Sequence, residues 1–259
     1  MKLAFRTGGF GSWKMDRILE ELRGIGYSGV ELCLEHSEHR PEKMNADLIQ
    51  RTRQQLDRLG LGIASASYHA DGEDMATRLP NTFRAIDIAA DLGTDILVVN
   101  AERAKPETKK SQFEQVVERF KKLCEQAEKR RVTLAVEPEP GLIINDTPDM
   151  LELMRRVGSK RLAVNLDVGH AVCVGESLPA TIRTLGKAIV HTHLEDIAAR
   201  VHKHLLPGDG DINFAAMFQA FDEIGYNGYY TVDLFAISDN PSGWARSALE
   251  RLRLYDKAD

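Results

Sequence analysis

The feature that most constrains this fold is a regular alternation of short β-type runs with longer segments of helical period. Eight such rounds follow one another along the chain. The predicted strands span residues 3–5, 29–34, 63–69, 96–100, 132–137, 162–167, 189–194 and 229–235. Eight βα rounds in 259 residues match the usual size of a (β/α)8 barrel. We therefore predict an α/β fold, with residues 1–259 forming a single TIM barrel domain.

Amphipathic segments separate these strands. The clearest, residues 113–127, carries apolar side chains at the spacing i, i+3, i+4, i+7, with Lys, Glu and Arg on the opposite face. An open doubly wound sheet is the alternative, and it requires a glycine-rich phosphate-binding turn after the first strand. The sequence TGGFG at residues 7–11 lacks the G-x-G-x-x-G spacing of that turn, which favours the barrel.

Composition and charge exclude several classes of protein. Hydrophobic residues make up 43% of the chain and charged residues 28%, which is typical of a globular protein. The formal net charge of −5 argues against nucleic-acid and membrane partners, since both attract basic surfaces. Cys33, Cys124 and Cys173 lie in apolar runs without CxxC spacing, so we expect reduced core thiols. No apolar stretch is long enough to span a bilayer, and we expect a soluble, cytoplasmic protein.

The fifth to eighth predicted strands each end in a residue type that binds metals. The four residues are Glu137, Asp167, His193 and Asp233. In a barrel the carboxyl ends of the strands form one face, and strand alternation directs these side chains inward. Three carboxylates buried side by side are strongly unfavourable unless a cation compensates them. The set therefore predicts one divalent ion, and Mn²⁺, Mg²⁺, Co²⁺ and Zn²⁺ all suit carboxylate and imidazole ligands.

Further polar residues surround the predicted mouth of the barrel. Residues at the strand ends or in the following loops are candidates for substrate binding: His69, Asn100, Glu31, His170, Arg200 and His204. The loop after the seventh strand also contains His202 and Lys203. His36 and His39 lie in a polar loop, and we expect their side chains to be solvated.

Several motifs occur in a characteristic order. They are Glu137 after an apolar strand, DVGH at 167–170, HLED at 193–196, HxxPGxGxI at 204–212 and GYxGY at 225–229. With these motifs the chain resembles, over nearly its whole length, the xylose-isomerase-like TIM barrel superfamily. That superfamily includes the sugar phosphate isomerase/epimerase group, the ketose 3-epimerases and endonuclease IV. The resemblance implies that Glu137, Asp167, His193 and Asp233 occupy metal positions and that His170 and Arg200 lie near substrate oxygens.

The resemblance also implies a reaction. We expect a metal-dependent isomerase or epimerase that acts on a sugar, sugar phosphate or keto-polyol through an enediolate, with Glu137 and Asp233 as catalytic carboxylates. The epimerases carry Glu where this chain has Asp233, so Asp233 is either the partner of Glu137 or only a ligand. A lyase or dehydratase that uses the same site is the alternative. A barrel that binds a sugar or a metal without turnover is the second alternative.

Endonuclease IV offers a further comparison, because that branch binds three zinc ions. His69, His170 and His204 match zinc-binding histidines of that branch, His202 replaces an aspartate, and Asn100 replaces a histidine. A second metal held by His170, His202 and His204 is therefore a hypothesis alongside hydrogen bonding to a sugar. DNA cleavage is disfavoured because the chain is acidic. Oligomeric state stays open, and the candidates for a contact surface in a homo-oligomer are Trp13, Trp244 and Tyr255.

Overall fold

The computed structural model describes residues 1–234 and 239–256, and within these residues eight parallel strands close into a barrel in sequence order. The strands are β1 (Leu3–Arg6), β2 (Gly29–Cys33), β3 (Gly62–Ser67), β4 (Ile96–Val99), β5 (Thr133–Val136), β6 (Leu162–Asp167), β7 (Ile189–Leu194) and β8 (Tyr230–Val232). Barrel closure is made by β1, which pairs with both β2 and β8. The predicted (β/α)8 fold is confirmed.

Helices surround the strands on the outside of the barrel. They are α1 (Met15–Ile25), α2 (Ala46–Leu59), α3 (Met75–Leu92), α4 (Lys109–Arg130), α5 (Thr147–Val157), α6 (Val168–Cys173), α7 (Leu178–Leu185), α8 (Phe214–Glu223) and α9 (Pro241–Arg253). Short 3-10 helices cover Thr7–Phe10, Pro106–Thr108 and Gly186–Ala188. The apolar stripe predicted over 113–127 lies on α4, and its members from Phe113 to Ala127 are buried.

The strand ends determine where functional side chains can lie. The predicted strand at 132–137 is shorter in the structure, yet Glu137 still continues the ladder because its N–H donates to Val99 O at 2.9 Å. The prediction for the eighth strand extended to Phe235, which lies outside the described residues. The four predicted ligands nevertheless lie at the same end of the barrel, each in or directly after its strand.

The polar loop after β2 differs from the sequence-based expectation. His36 and His39 were predicted to be solvated, but only 6% and 2% of their surfaces are exposed. His36 Nε2 lies 2.9 Å from Trp13 O, and His39 Nε2 lies 3.3 Å from Thr52 Oγ1 on α2. Burial and the neighbouring His36 lower the pKa of His39 to about 4. The prediction was wrong because the loop packs against α2 instead of extending into solvent.

Other sequence-based expectations concern the cysteines and the surface. Cys33 and Cys124 are buried free thiols, and Cys173 is a half-buried one. Trp13 and Trp244 pack against the core, whereas Tyr255 is 39% exposed. Within residues 1–234 and 239–256, none of the helices combines the length and apolar character needed to cross a membrane.

Candidate active site at the barrel mouth

A cavity of about 220 Å³ opens at the carboxyl ends of the strands. Every described residue that lines it is ionisable: Arg6, His69, Asp71, Glu137, Glu139, His170, His202, His204 and Asp233. Charges at this density are stable only when they compensate one another or bind an ion. The cavity is therefore the natural place to look for chemistry.

Three of the four predicted ligands form a compact group. One donor atom from each of Glu137, Asp167 and His193 lies within 4.8 Å of the others, and all three residues are buried. His193 Nδ1 is 3.1 Å from Glu137 Oε2 and 3.9 Å from Asp167 Oδ2. The side chains come from consecutive strands, which explains how residues far apart in the sequence converge.

Asp233, the fourth predicted ligand, follows β8 directly. Its N–H donates to Leu194 O at 3.1 Å, which continues the pairing of β8 with β7. Asp233 Oδ2 lies 3.7 Å from His193 Nδ1, and Oδ1 lies 3.6 Å from Arg6 Nη1. The structure thus brings all four residues together and places Asp233 between the histidine and the arginine. We call Glu137, Asp167, His193 and Asp233 the four-residue ring.

The donor set of this ring fits a divalent cation. Asp167 Oδ1 caps α6 by accepting the N–H of His170 at 2.8 Å. Its buried Oδ2 has no fixed donor among the described residues, and the carboxylate shares a hydrogen bond with Glu195 that requires Glu195 to carry a proton. An uncompensated buried carboxylate oxygen is strongly unfavourable. Carboxylate and imidazole donors suit first-row divalent ions, so a cation here would satisfy the free oxygen.

The electrostatics of the ring differ from those of its neighbour Glu195. Burial alone would raise the pKa of Glu137, but His193 and His69 hold it well below its usual range. Burial lowers the pKa of His193, yet the carboxylates beside it raise that pKa well above its usual value. Burial and the charge of Asp167 instead raise the pKa of Glu195 well above its usual range. These shifts keep Glu137 ionised at neutral pH and favour the protonated form of Glu195.

Glu31 lies beneath the ring and outside the cavity. It is 0% exposed, and its Oε2 lies 2.9 Å from Nε2 of His191 and 2.9 Å from Nε2 of His193. Ser65 Oγ donates to the same oxygen at 2.7 Å. Glu31 was predicted to bind substrate, but it lies within β2, below the strand end, where no substrate reaches it. We call His191 and His193 the inner pair.

Arg6 is a site residue that the sequence analysis missed. It ends β1 and is 5% exposed, with Nε 3.1 Å from Glu31 Oε1 and Nη2 3.0 Å from His69 Nδ1. Its guanidinium also lines the cavity. The available signal was its place at the carboxyl end of an apolar strand, the same rule that identified the ligands.

His69 lies on the cavity wall beside Glu137. Its Nε2 is 3.2 Å from Glu137 Oε2. The loop that carries it is held by Glu35, whose Oε1 accepts the N–H groups of His69 and Ala70. The structure therefore brings His69 to the position that the sequence predicted for a substrate contact.

His170, His202 and His204 form a second cluster, which we call the outer group. His170 Nδ1 lies 3.2 Å from Pro138 O, and His204 Nδ1 lies 2.8 Å from Asp233 O. Because a carbonyl only accepts, both Nδ1 atoms donate, and in the neutral form of each ring Nε2 is an acceptor. His170 Nε2 is 2.9 Å from His202 Nε2, and donor atoms of all three rings lie within 4.8 Å of one another.

Two predicted substrate-binding residues do not reach the cavity. The amide of Asn100 donates to Asp71 Oδ1 at 3.3 Å and to Glu139 Oε2 at 3.0 Å, so it orients two carboxylates of the wall. Arg200 lies in an exposed turn with a positive φ of 59°, and its guanidinium packs over Gly175. The structure places Arg200 outside the site because this turn, which the sequence pattern did not reveal, sets its direction.

Asp196 builds the loop that carries His202 and His204, two members of the outer group. Its carboxylate accepts backbone N–H groups of four residues at 2.8–3.1 Å: Ile197, Gly208, Gly210 and Ile212. Its own backbone pairs with Leu205 in an antiparallel bridge. One buried carboxylate therefore fixes both ends of the segment from 197 to 212.

Comparison with known proteins agrees with this architecture and site. The profile of the xylose isomerase-like TIM barrel family matches residues 19–255. The chain belongs to this family. The family assignment confirms the resemblance drawn from the motifs.

Relatives of this chain include the fructoselysine 3-epimerase of Shigella flexneri, which is 29% identical to it over 175 residues. That match covers 65% of this chain and 63% of the epimerase's own length, so the chain spans less than two thirds of it. The inosose dehydratase of Geobacillus thermodenitrificans is 24% identical, with 75% of this chain and 76% of that protein covered. A solved structure described as IOLI protein with a binding zinc atom has a TM-score of 0.81 at 18% identity, and 98% of each chain is covered.

Proposed function

We propose that this protein is a divalent-metal-dependent isomerase or epimerase of a sugar or keto-polyol. The observation that carries the proposal is the convergence of Glu137, Asp167 and His193 at the barrel mouth, where one donor atom of each lies within 4.8 Å of the others. A divalent ion bound there supplies Lewis-acid polarisation of a substrate carbonyl. The epimerase among the relatives supports a reaction of this class.

Glu137 is the proposed general base. It lines the cavity, it is ionised, and its Oε1 and Oε2 lie near His170 and His69 at 3.4 and 3.2 Å. Removal of the proton beside the substrate carbonyl leaves an enediolate. Return of a proton to the neighbouring carbon completes an isomerisation, and return to the same carbon from the opposite face completes an epimerisation. His69 lies next to the reacting carboxylate and can hydrogen-bond a substrate oxygen.

Asp233 is the proposed fourth ligand, and we do not assign it the role of a second base. One of its oxygens faces His193 and the other faces Arg6. Both oxygens therefore lie within ion-pair distance of a nitrogen, although Oδ1 accepts no hydrogen bond from the described residues. This arrangement favours the alternative reaction, a dehydratase or other lyase, because elimination needs one base, whose proton can pass to the departing hydroxyl group, rather than two opposed ones. The inosose dehydratase among the relatives supports the same alternative.

The charge of the cavity favours a substrate without a phosphate group. Among the described residues that line it, Arg6 is the only Lys or Arg, and it already pairs with Glu31 and Asp233. Asp71 and Glu139 add carboxylates to the lining. A phosphate dianion would meet these carboxylates, and apart from the histidines, two of which already pair with Glu137, the described lining offers no further basic side chain.

The outer group is proposed to hydrogen-bond substrate hydroxyl groups. All three histidines line the cavity, and His202 and His204 retain solvent access. A second metal held by His170, His202 and His204 is the competing assignment. Metal stoichiometry decides between them: one equivalent per chain supports substrate binding, and two equivalents support a second ion.

We further propose a cytoplasmic location, supported by the three unpaired cysteines. Small sugar-like molecules are the proposed partners, without nucleic acid or membrane. The proposal also allows a homo-oligomer, and Tyr255 is the exposed aromatic residue proposed for its contact surface.

The function is tested by incubating the metal-loaded protein in D₂O with a panel of free ketoses, keto-polyols and their phosphates. Deuterium incorporation at unchanged carbon skeleton supports the epimerase, and loss of one water supports the dehydratase. Ligand-dependent thermal stabilisation without deuterium uptake would instead support a binding protein without turnover.

A further inference from the structure

We propose that Glu31 is a positioning residue that fixes the ring of His193 so that Nδ1, and not Nε2, faces the metal. This inference rests on the metal site of the proposed function and adds a residue that no ligand motif contains. It concerns the inner pair, which lies below the cavity and touches no substrate.

The first argument is the orientation of the His193 ring. Nδ1 lies 3.1 Å from Glu137 Oε2, whereas Nε2 lies 2.9 Å from Glu31 Oε2. An imidazole that binds a metal through one nitrogen carries its proton on the other. Glu31 accepts a hydrogen bond at Nε2, the nitrogen that points away from the four-residue ring. It therefore selects the tautomer of His193 in which Nδ1 carries no proton.

The second argument is that Glu31 is held as a charged acceptor. Its carboxylate is 0% exposed, which alone would be unfavourable, but Arg6, His191 and Ser65 all approach it. The guanidinium of Arg6 balances the charge of this carboxylate, and a carboxylate paired in this way is a strong acceptor for an imidazole N–H.

The third argument is register. Glu31 pairs across the sheet with Arg6 on β1 and with Ser65 on β3. On the other side of the barrel His191 pairs with Asn165, and His193 pairs with Asp167. Glu31 therefore crosses the barrel interior to reach the inner pair, and no shorter side chain at this position spans the same gap.

The test is metal affinity in a Glu31→Gln variant of the full chain. Glutamine keeps the shape but places an NH₂ group beside Nε2 in one of its orientations and removes the charge in both. We expect dissociation constants for Mn²⁺ and Zn²⁺, measured by competition with a chelating dye, to rise by about 10- to 100-fold. Ser65→Ala is the matched control, since it removes one hydrogen bond to Glu31 without touching His193, and we expect its affinity to change less than about threefold.

Affinities of Glu31→Gln within threefold of the unmodified protein would overturn the proposal. A second measurement covers the case in which the variant does not fold. In the zinc-loaded unmodified protein, ¹⁵N NMR of the histidine rings should show His193 bound through Nδ1 with a proton on Nε2. Zinc on Nε2, or Nε2 without a proton, contradicts the proposal. Neither metal affinity nor the NMR measurement depends on turnover. If only the epimerase assignment were wrong, deuterium exchange would be absent while both of these measurements gave the expected results.

Discussion

The inner pair and the outer group place histidines in contrasting environments at the same end of the barrel. His191 and His193 are 1% and 0% exposed, lie in one strand and share the carboxylate of Glu31. His202 and His204 lie in a loop and retain solvent access. His202 Nε2 lies 2.9 Å from His170 Nε2, and His204 Nδ1 donates to Asp233 O. The comparison teaches that burial against carboxylates fixes an imidazole in a charged environment, whereas a loop position leaves an imidazole accessible to solvent and to a ligand.

The inner pair and the outer group also differ in the function that we propose for them. A strand-borne imidazole with its second nitrogen fixed is suited to hold an ion in one geometry. Loop-borne imidazoles held by one buried aspartate can adjust to a ligand while their loop stays anchored. We therefore assign chemistry to the four-residue ring and recognition to the outer group, and the following predictions test that division.

The largest expected effect is on the proposed base. Glu137→Gln should lower the rate of deuterium exchange at the substrate carbon by about 10²- to 10⁴-fold, because the amide cannot accept the proton. Glu139→Gln, two residues along the same wall, is the control and should retain most of the rate. Proton exchange in Glu137→Gln at more than a tenth of the unmodified rate would remove Glu137 from the role of base.

The next prediction separates the two histidine groups directly. His193→Gln should lose most of its bound metal after dialysis, because it removes a ligand that faces three carboxylates. His202→Gln should keep its metal and show a higher KM with a similar kcat. Elemental analysis and steady-state kinetics measure both. The reverse pattern, with metal lost only from His202→Gln, would move the principal metal site to the outer group.

A smaller effect is expected for the anchor of the histidine loop. Asp196→Asn should reduce the free energy of unfolding by about 2–3 kcal/mol, because a charged acceptor of several buried N–H groups is lost. Asp209→Asn, which removes an exposed ion pair with Arg251, should cost less than about 1 kcal/mol. Urea unfolding compares the two. Equal effects would show that Asp196 does not anchor the loop.

The smallest effect concerns a buried histidine outside the site. Burial lowers the folded-state pKa of His39 to about 4, below its ordinary value of 6.5. Between these values the unfolded chain binds the proton that the folded chain excludes, so stability is fully present above pH 6.5 and falls as the pH drops toward 4. In His39→Gln this part of the pH dependence should disappear from urea unfolding curves. An unchanged slope between the two pH values would contradict the burial argument.

The sequence predicted the barrel and the four-residue ring for a simple physical reason. Strand periodicity and strand ends are local properties, and a residue at a strand end in a (β/α)8 barrel faces the mouth wherever its strand lies. Glu137, Asp167 and His193 could therefore be predicted from position alone. Arg6 follows the same rule, but the predicted first strand ended at residue 5, one residue before it.

Some residues could not be predicted from strand ends, because their roles depend on how far below the barrel mouth they lie or on where a loop directs their side chains. Glu31 lies in the middle of β2, so it reaches the inner pair from below and not the cavity. Arg200 follows a left-handed turn that the sequence pattern does not show, and Asn100 orients Asp71 and Glu139 rather than a substrate. His36 and His39 lie in a polar segment whose packing against α2 is a tertiary effect. Side-chain direction in loops depends on long-range packing, which periodicity does not contain.

The most direct test of the central claim is the position of the metal. Crystals of the full chain loaded with one equivalent of Zn²⁺ should give an anomalous scattering peak at the zinc edge among Glu137, Asp167, His193 and Asp233, at about 2.0–2.3 Å from their donor atoms. The peak should lie on the Nδ1 side of the His193 ring. A protein that binds zinc with a peak only among His170, His202 and His204, or with no peak at the ring, would contradict the account.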